Sequence, residues 1–407
     1  MKRSMFLASA VCAALSLLAP TVGAQPKPIR IGVPTAVQLQ VGRDTQDALK
    51  MAIDEINAKG GVLGRKLEMV VADETENPET GISAIKKLTA DEKVDVLIGG
   101  YTSGVTLAQL PHISAAKTIY LNVGSASPST NAKVKTDYDN YKYIFRVGPL
   151  NAGHQARQMT GFVSGFVKGE LGITKIAIVG ENAKWVQDLV PLLKKGATEA
   201  GADVRATEFF DAQTSDFSPL FSKVKDSGAQ YMVVVLSHAS SDIFAKQWYD
   251  SRFPMPYGGI DVKSMDGDFC DRIGGKSVGA IAANFAVRAP LTPKTIPFFD
   301  AFRKATNRSP VYTAFGAYDA AYVYAEAVTR AGSTEANAVI KELEKTSYTG
   351  VPGTIEFDET HDVKPGTATF KGPALLFAQW RDGCKREVTH PKELRTAAFA
   401  YPAWIKK

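Results

Sequence analysis

Two hydrophobic periods alternate along this chain, and that alternation constrains the fold more than any single motif. The stretch "IRIGVP" (29–34) is short, apolar and β-branched, as a strand requires. "TQDALKMAIDEINA" (45–58) instead places Leu49, Ala52, Ile53 and Ile56 on one helical face before "KGG" ends it. "KLEMVVAD" predicts a strand, and "NPETGISAIKKLTA" a helix with Pro78 in its first turn. A strand over 94–99, a helix from about Val105 and a strand "TIYLNV" (118–123) continue the rhythm. This order predicts a parallel sheet with helices on both faces.

"DYDNYKYIFRVGP" breaks the pattern with aromatics and a proline, and a second alternating set follows. Strands are predicted at "KIAIVG" (175–180), "DVRATEFF" (203–210), "QYMVVVLS" (230–237) and "GAIAANFAV" (279–287). Helices are predicted from about Lys184, over "DFSPLFSKVKDSG" and "SDIFAKQWYD", and near 294–306 and 313–331. Two short β-like segments, "GTIEFDE" and "PALLFAQW", close the chain. Two α/β units in tandem, each with its own parallel sheet, are therefore expected. No Gly/Ser-rich linker separates them, which points to ordered crossing strands between the units.

The first residues carry Lys2 and Arg3, an apolar core from Met5 to Ala19, and Val22-Gly23-Ala24 before Gln25, the pattern of a cleaved export signal over 1–24. Cys12 lies deep in that core after Val11, which disfavours lipidation; a retained N-terminal anchor is the weaker rival. Removing 1–24 from 407 residues leaves 383, too many for one ordinary core. No later stretch is long and apolar enough to span a bilayer. The net charge of +6 includes Lys2 and Arg3, and the remaining charges are interspersed, with no basic stripe for nucleic acid. Cys270 and Cys384 either pair in an oxidising compartment or remain isolated thiols.

Catalytic signatures are missing: there is no G-x-S-x-G, no H-E-x-x-H and no G-x-G-x-x-G after a strand. "GGKS" (274–277) mimics the end of a phosphate loop, but Cys270 stands where the first glycine belongs. The five histidines show no metal-ligand spacing, so neither metal nor cofactor is expected. An exported α/β chain of this kind leans toward binding and away from catalysis.

The stretch "VDVLIGGYTSGVTLAQLPHI" (94–113) offers a place to bind. Gly99 and Gly100 turn the chain sharply, and Ser103 stands near a helix start, where N–H groups attract carboxylates. The next strand also ends in Gly124, Ser125, Ala126 and Ser127. Plain helix capping explains either turn alone. Their coincidence at adjacent strand ends favours a ligand site.

The segments "IRIGVP", "ALKMAIDEINAKGGVLGRKLEMVVAD", "LIGGYTSG", "IYLNVGSASP", "YIFRVGP" and "KIAIVGENAKW" occur in an order that resembles the type I periplasmic solute-binding proteins of ABC importers, in the leucine/isoleucine/valine-binding group. The resemblance implies an α/β fold of two Rossmann-like lobes with parallel sheets, joined by a three-crossing hinge. The crossings would fall near Arg146–Pro149, Ala282–Val287 and Asp362–Thr369. The first lobe would hold 25–146 plus 285–365, and the second 147–284 plus 366–407. It further implies a monomer in the periplasm that passes a small polar solute to an inner-membrane ABC permease.

Family positions fall unevenly on this sequence. The serine that holds a carboxylate head matches Ser103, and the Gly-Ala-Thr clamp becomes Gly124-Ser125-Ala126, its hydroxyl lost or moved to Ser127. Trp185 matches an aromatic wall, although packing at a helix start explains it equally. A Tyr-Tyr pair becomes Ser237-His238, with His238 also readable as a polar loop residue. The acid that accepts an ammonium matches Asp261, otherwise a turn former beside Gly258-Gly259; a first-loop aromatic becomes Val41. Tyr101 leans on the solute or covers the sheet edge. Amino acids and amides stay in view, as do aromatic carboxylates. A periplasmic sensor and an exported hydrolase are the functional rivals.

Overall fold

The computed structural model describes residues 26–148 and 150–405; the expected signal segment lies outside these residues, as does Pro149 in the first expected crossing. The first sheet is built by β1 (Ile29–Thr35), α1 (Gln40–Ala58), β2 (Leu67–Asp73), α2 (Pro78–Lys86), β3 (Val96–Gly99), α3 (Ser103–Ala116), β4 (Ile119–Asn122), α4 (Ser129–Thr136), α5 (Tyr138–Tyr141) and β5 (Ile144–Arg146). Its strand order is β2-β1-β3-β4-β5, parallel throughout. α1 starts five residues before the helix expected at 45, yet buries the face foreseen, with Leu49 and Ala52 fully enclosed.

The second sheet follows through α6 (Ala152–Phe162), β6 (Lys175–Glu181), α7 (Lys184–Glu199), β7 (Asp203–Phe210), α8 (Ser218–Asp226), β8 (Tyr231–Leu236), α9 (Ser240–Asp250), β9 (Tyr257–Asp261), α10 (Phe269–Arg272) and β10 (Ile281–Asn284). The chain then returns to the first sheet with α11 (Thr295–Thr306), α12 (Tyr312–Ala331) and α13 (Ala336–Leu343). α12 packs along α1, its alanines 314, 317, 320 and 321 letting the two helices approach. A small hairpin, β11 (Tyr348–Thr349) and β12 (Thr354–Ile355), precedes β13 (Leu376–Arg381) and β14 (Lys385–His390).

β13 and β14 correct one expectation: the second sheet is mixed. Its order is β14-β13-β10-β9-β8-β6-β7, and β13 runs antiparallel to both β10 and β14. β9 was not foreseen as a strand because Gly258-Gly259 reads as a turn. A Cβ on Gly258 would meet the Tyr231 hydroxyl at 2.4 Å and Ile281 Cβ at 2.7 Å, so the glycine is there for strand packing.

Between the sheets the chain passes three times. Arg146 ends β5 and pairs as a parallel bridge with Asp362, so the first and third passages run side by side. Arg146 Nη1 donates to Asp362 Oδ2 at 2.8 Å, and both side chains are buried. Burial pushes the Asp362 carboxyl up and the Arg146 guanidinium down, each partly offset by the other's charge. Cys270 and Cys384 form a disulfide, tying α10 to the turn between β13 and β14. Among the described residues no helix is long and apolar enough to cross a membrane.

Candidate functional site

Gly124 brings two strand-end turns into contact. A Cβ there would meet the Gly100 carbonyl oxygen at 2.0 Å and Tyr101 Cα at 2.8 Å, so only glycine allows β3 and β4 to hand over to their loops this closely. Asn122 shapes the second turn: its side chain accepts from the N–H groups of Gly124 and Ser125 and donates to the Ser125 carbonyl at 2.9 Å. Ser125, Ala126 and Ser127 are thereby stacked over the start of α3.

Ser103 is the first residue of α3, and its hydroxyl oxygen accepts from Ala126 N at 3.2 Å, Ser127 N at 3.0 Å and Ser125 Oγ at 3.3 Å. With its lone pairs so occupied, Ser103 is left to act as a donor. α3 has fourteen residues and no side-chain cap. The first-turn N–H groups of Ser103, Gly104 and Val105 have no partner within a helix, and all three residues line one cavity.

That cavity measures about 200 Å³ and lies at the carboxyl ends of strands from both sheets. One wall comes from the β3–α3 turn, together with Gly124, Ala126 and the Glu76–Pro78 region before α2. The opposite wall holds Asn182 to Trp185 between β6 and α7, Ser237 and His238 after β8, and Ile260 and Val262 around the end of β9. Phe285 and Tyr312 close the back, with Gln155 of α6. Tyr101 Oη donates to the Ser237 carbonyl at 3.3 Å, bridging the walls, and Trp185 Nε1 donates to Ser237 Oγ at 3.2 Å.

The family profile of periplasmic binding proteins matches residues 28–383. The chain belongs to this family. The leucine-, isoleucine-, valine-, threonine- and alanine-binding protein of Pseudomonas aeruginosa is 27% identical over 372 residues, covering 88% of this chain and 92% of its own. A branched-chain amino acid transporter substrate-binding protein of Streptococcus pneumoniae, solved with isoleucine, superposes with a TM-score of 0.74 at 21% identity, covering 89% of this chain and all of its own. An ABC-transporter solute-binding protein of Rhodopseudomonas palustris, solved with 3,4-dihydroxybenzoic acid, gives 0.74 at 20% identity, covering 87% of this chain and 93% of its own.

In this periplasmic binding protein the candidate residues divide into two groups. Tyr101, Ser103, Ala126, Trp185 and His238 line the cavity. Ser125, Ser127 and Asp261 do not. Ser125 sits behind Ser103, its hydroxyl 3.2 Å from Thr130 Oγ1, and Ser127 donates to Asp188. Asp261 is a correction. Ile260 and Val262 on either side of it line the cavity, while its own carboxyl accepts from Ser241 Oγ at 2.7 Å on the far face. Burial raises its pKa to about 7, against the hydrogen bonds of Ser241 and the Ser264 N–H. Val41 is packed in the core, away from the site.

Two acids at the site escaped the sequence reading. Glu181 closes β6, fully buried, and accepts from Ser237 Oγ and His238 N. Burial alone would raise its pKa, but His238 and Ser237 together bring it below the ordinary carboxylate value. Glu76 lines the first wall. Position after a strand was the available signal for Glu181, in "KIAIVGENAKW"; Glu76, Phe285 and Tyr312 carry no local signature.

Proposed function

We propose that this binding protein captures a small organic solute with a carboxylate or amide head, an amino acid first, in the cavity between its two halves. It delivers that solute to an inner-membrane ABC permease. The observation that carries the reading is the uncapped start of α3, where Ser103, Gly104 and Val105, whose N–H groups have no helical partner, all line the cavity. An anionic head at a helix start gains about 0.3–1 kcal/mol, and up to about 2 when partly buried. The signal over 1–24, the lobes 25–146 plus 285–365 and 147–284 plus 366–407, the monomeric state and the periplasmic location belong to this same proposal.

Aromatic carboxylates form the second reading. Tyr101, Trp185, Phe285 and Tyr312 surround the space, and Asp261 is turned away from it, so the matched position supplies no acceptor for an ammonium.

Thermal-shift and calorimetric titration with L-leucine, L-isoleucine, their amides and 3,4-dihydroxybenzoate separate these readings. Saturable binding of one class, with the compound recovered intact by mass spectrometry, is the expected result. Turnover would establish the hydrolase rival instead. Binding by none of these compounds would remove the proposed substrate class.

A further inference from the structure

His238 stands where the two halves meet. Its backbone N–H donates to Glu181 Oε2 at 3.0 Å, and its Nδ1 lies 2.9 Å from Glu181 Oε1. Glu181 is fully buried at the end of β6, so this contact is built into the second-sheet half. The other ring nitrogen, Nε2, faces Glu76 Oε1 at 3.6 Å, and Glu76 belongs to the loop between β2 and α2 in the first-sheet half.

An ionised carboxylate only accepts hydrogen bonds, so Glu181 keeps a proton on Nδ1 in both charge states of the ring. The neutral ring then turns its Nε2 lone pair toward the Glu76 carboxylate, and the contact is repulsive. The protonated ring turns an N–H toward it, and the contact becomes an attraction between opposite charges. One proton reverses the sign of the interaction across the gap.

We propose that His238 and Glu76 form a proton-operated clasp, drawing the two halves together when the ring is charged and loosening them when it is neutral. The clasp rests on the solute-capture reading, because it regulates closure of that same site.

The groups around the ring agree with this. Burial alone would lower the pKa of His238, but the Glu181 hydrogen bond and the charges of Glu181 and Glu76 raise it above its ordinary 6.5, against an opposing charge from Lys263. On α7, Lys184 pairs with Asp188, and on α9 Asp242 is held by Arg272, so both acids already have a cation. A pKa raised by closure means that closure takes up a proton. Its contribution is complete at low pH and is lost as pH rises through the raised value.

Solution scattering of the purified protein without solute, at about pH 5.5 and about pH 8.5, tests the clasp. The wild type is expected to show the smaller radius of gyration at the acidic pH, and E76Q and H238Q are expected to lose that difference. A wild-type radius independent of pH overturns the proposal, and so does an E76Q variant that keeps the full response. E76Q decides the matter if H238Q fails to fold, since Glu76 is half-exposed and outside the core. The capture reading fails separately, when saturating L-leucine or 3,4-dihydroxybenzoate neither binds nor changes the radius at either pH.

Discussion

Ser127 Oγ donates to Asp188 Oδ2 across 2.6 Å, tying the loop after β4 to α7 on the opposite wall of the cavity. The carbonyl of the same residue accepts from Arg146 Nη2 at 2.5 Å, and Arg146 is paired with Asp362 at the adjoining passages between the sheets. Ser127 therefore joins a contact between the halves to the backbone about which they would hinge. Although it does not touch the cavity, it bears on the closure proposed above.

Ser127→Ala removes that cross-wall bond and leaves every lining residue in place. A hydrogen bond to a charged group contributes about 1.5–3 kcal/mol, and partial exposure of Asp188 brings the expected loss to about 1 kcal/mol. Scattering should show a more open average form, with weaker solute binding to match. An unchanged envelope would separate Ser127 from closure.

Ser103→Ala acts on the site itself. It removes the hydroxyl donor and also leaves the Ala126 and Ser127 N–H groups without their acceptor. Solute affinity should fall by about 1–3 kcal/mol in calorimetry, with a lower melting temperature beside it. Full affinity in a folded variant would take Ser103 out of recognition.

The Cys270–Cys384 bridge spans 114 residues of sequence. Loop-closure entropy for a bridge of that length stabilises the native state by about 5 kcal/mol through the unfolded chain, against about 2–4 kcal/mol typical of disulfides. The C270A/C384A pair should unfold at a lower denaturant midpoint and bind solute with unaltered affinity, since neither cysteine lines the cavity. A large loss of affinity would contradict that separation.

Asp261 sets a pH dependence of stability. Its pKa rises from 3.8 to about 7 on folding, so between those values the folded state holds a proton that the unfolded chain has released. Its contribution to stability therefore falls as pH rises from about 4 to about 7 and is level above. Asp261→Asn, which resembles the protonated form, should flatten this part of the melting-temperature profile relative to wild type. Equal slopes in both proteins would refute the assignment.

Much of this architecture was legible in the residues. The periods of "IRIGVP" and "TQDALKMAIDEINA" specify β1 and α1 because strand and helix geometries expose different faces, and a buried face must be apolar. The Gly-Ser turns after β3 and β4 were found for the same reason: a sharp turn before a helix needs small residues wherever it occurs. β9 was missed because a glycine that admits neighbouring strands looks identical, in sequence, to one that makes a turn.

Local pattern alone thus decided the alternation of strands and helices, the two-sheet plan and the Gly/Ser corner at Ser103, but not β9. Tertiary structure decided which acid lines the cavity. Asp261 lies one position from two lining residues, and alternation of side chains across a strand sends it to the opposite face, against Ser241. Glu181 ends β6 and Glu76 lies in the loop between β2 and α2, and the two come together at His238. The direction of a side chain depends on pleat and packing partner, and neither is written in the residue's own neighbourhood.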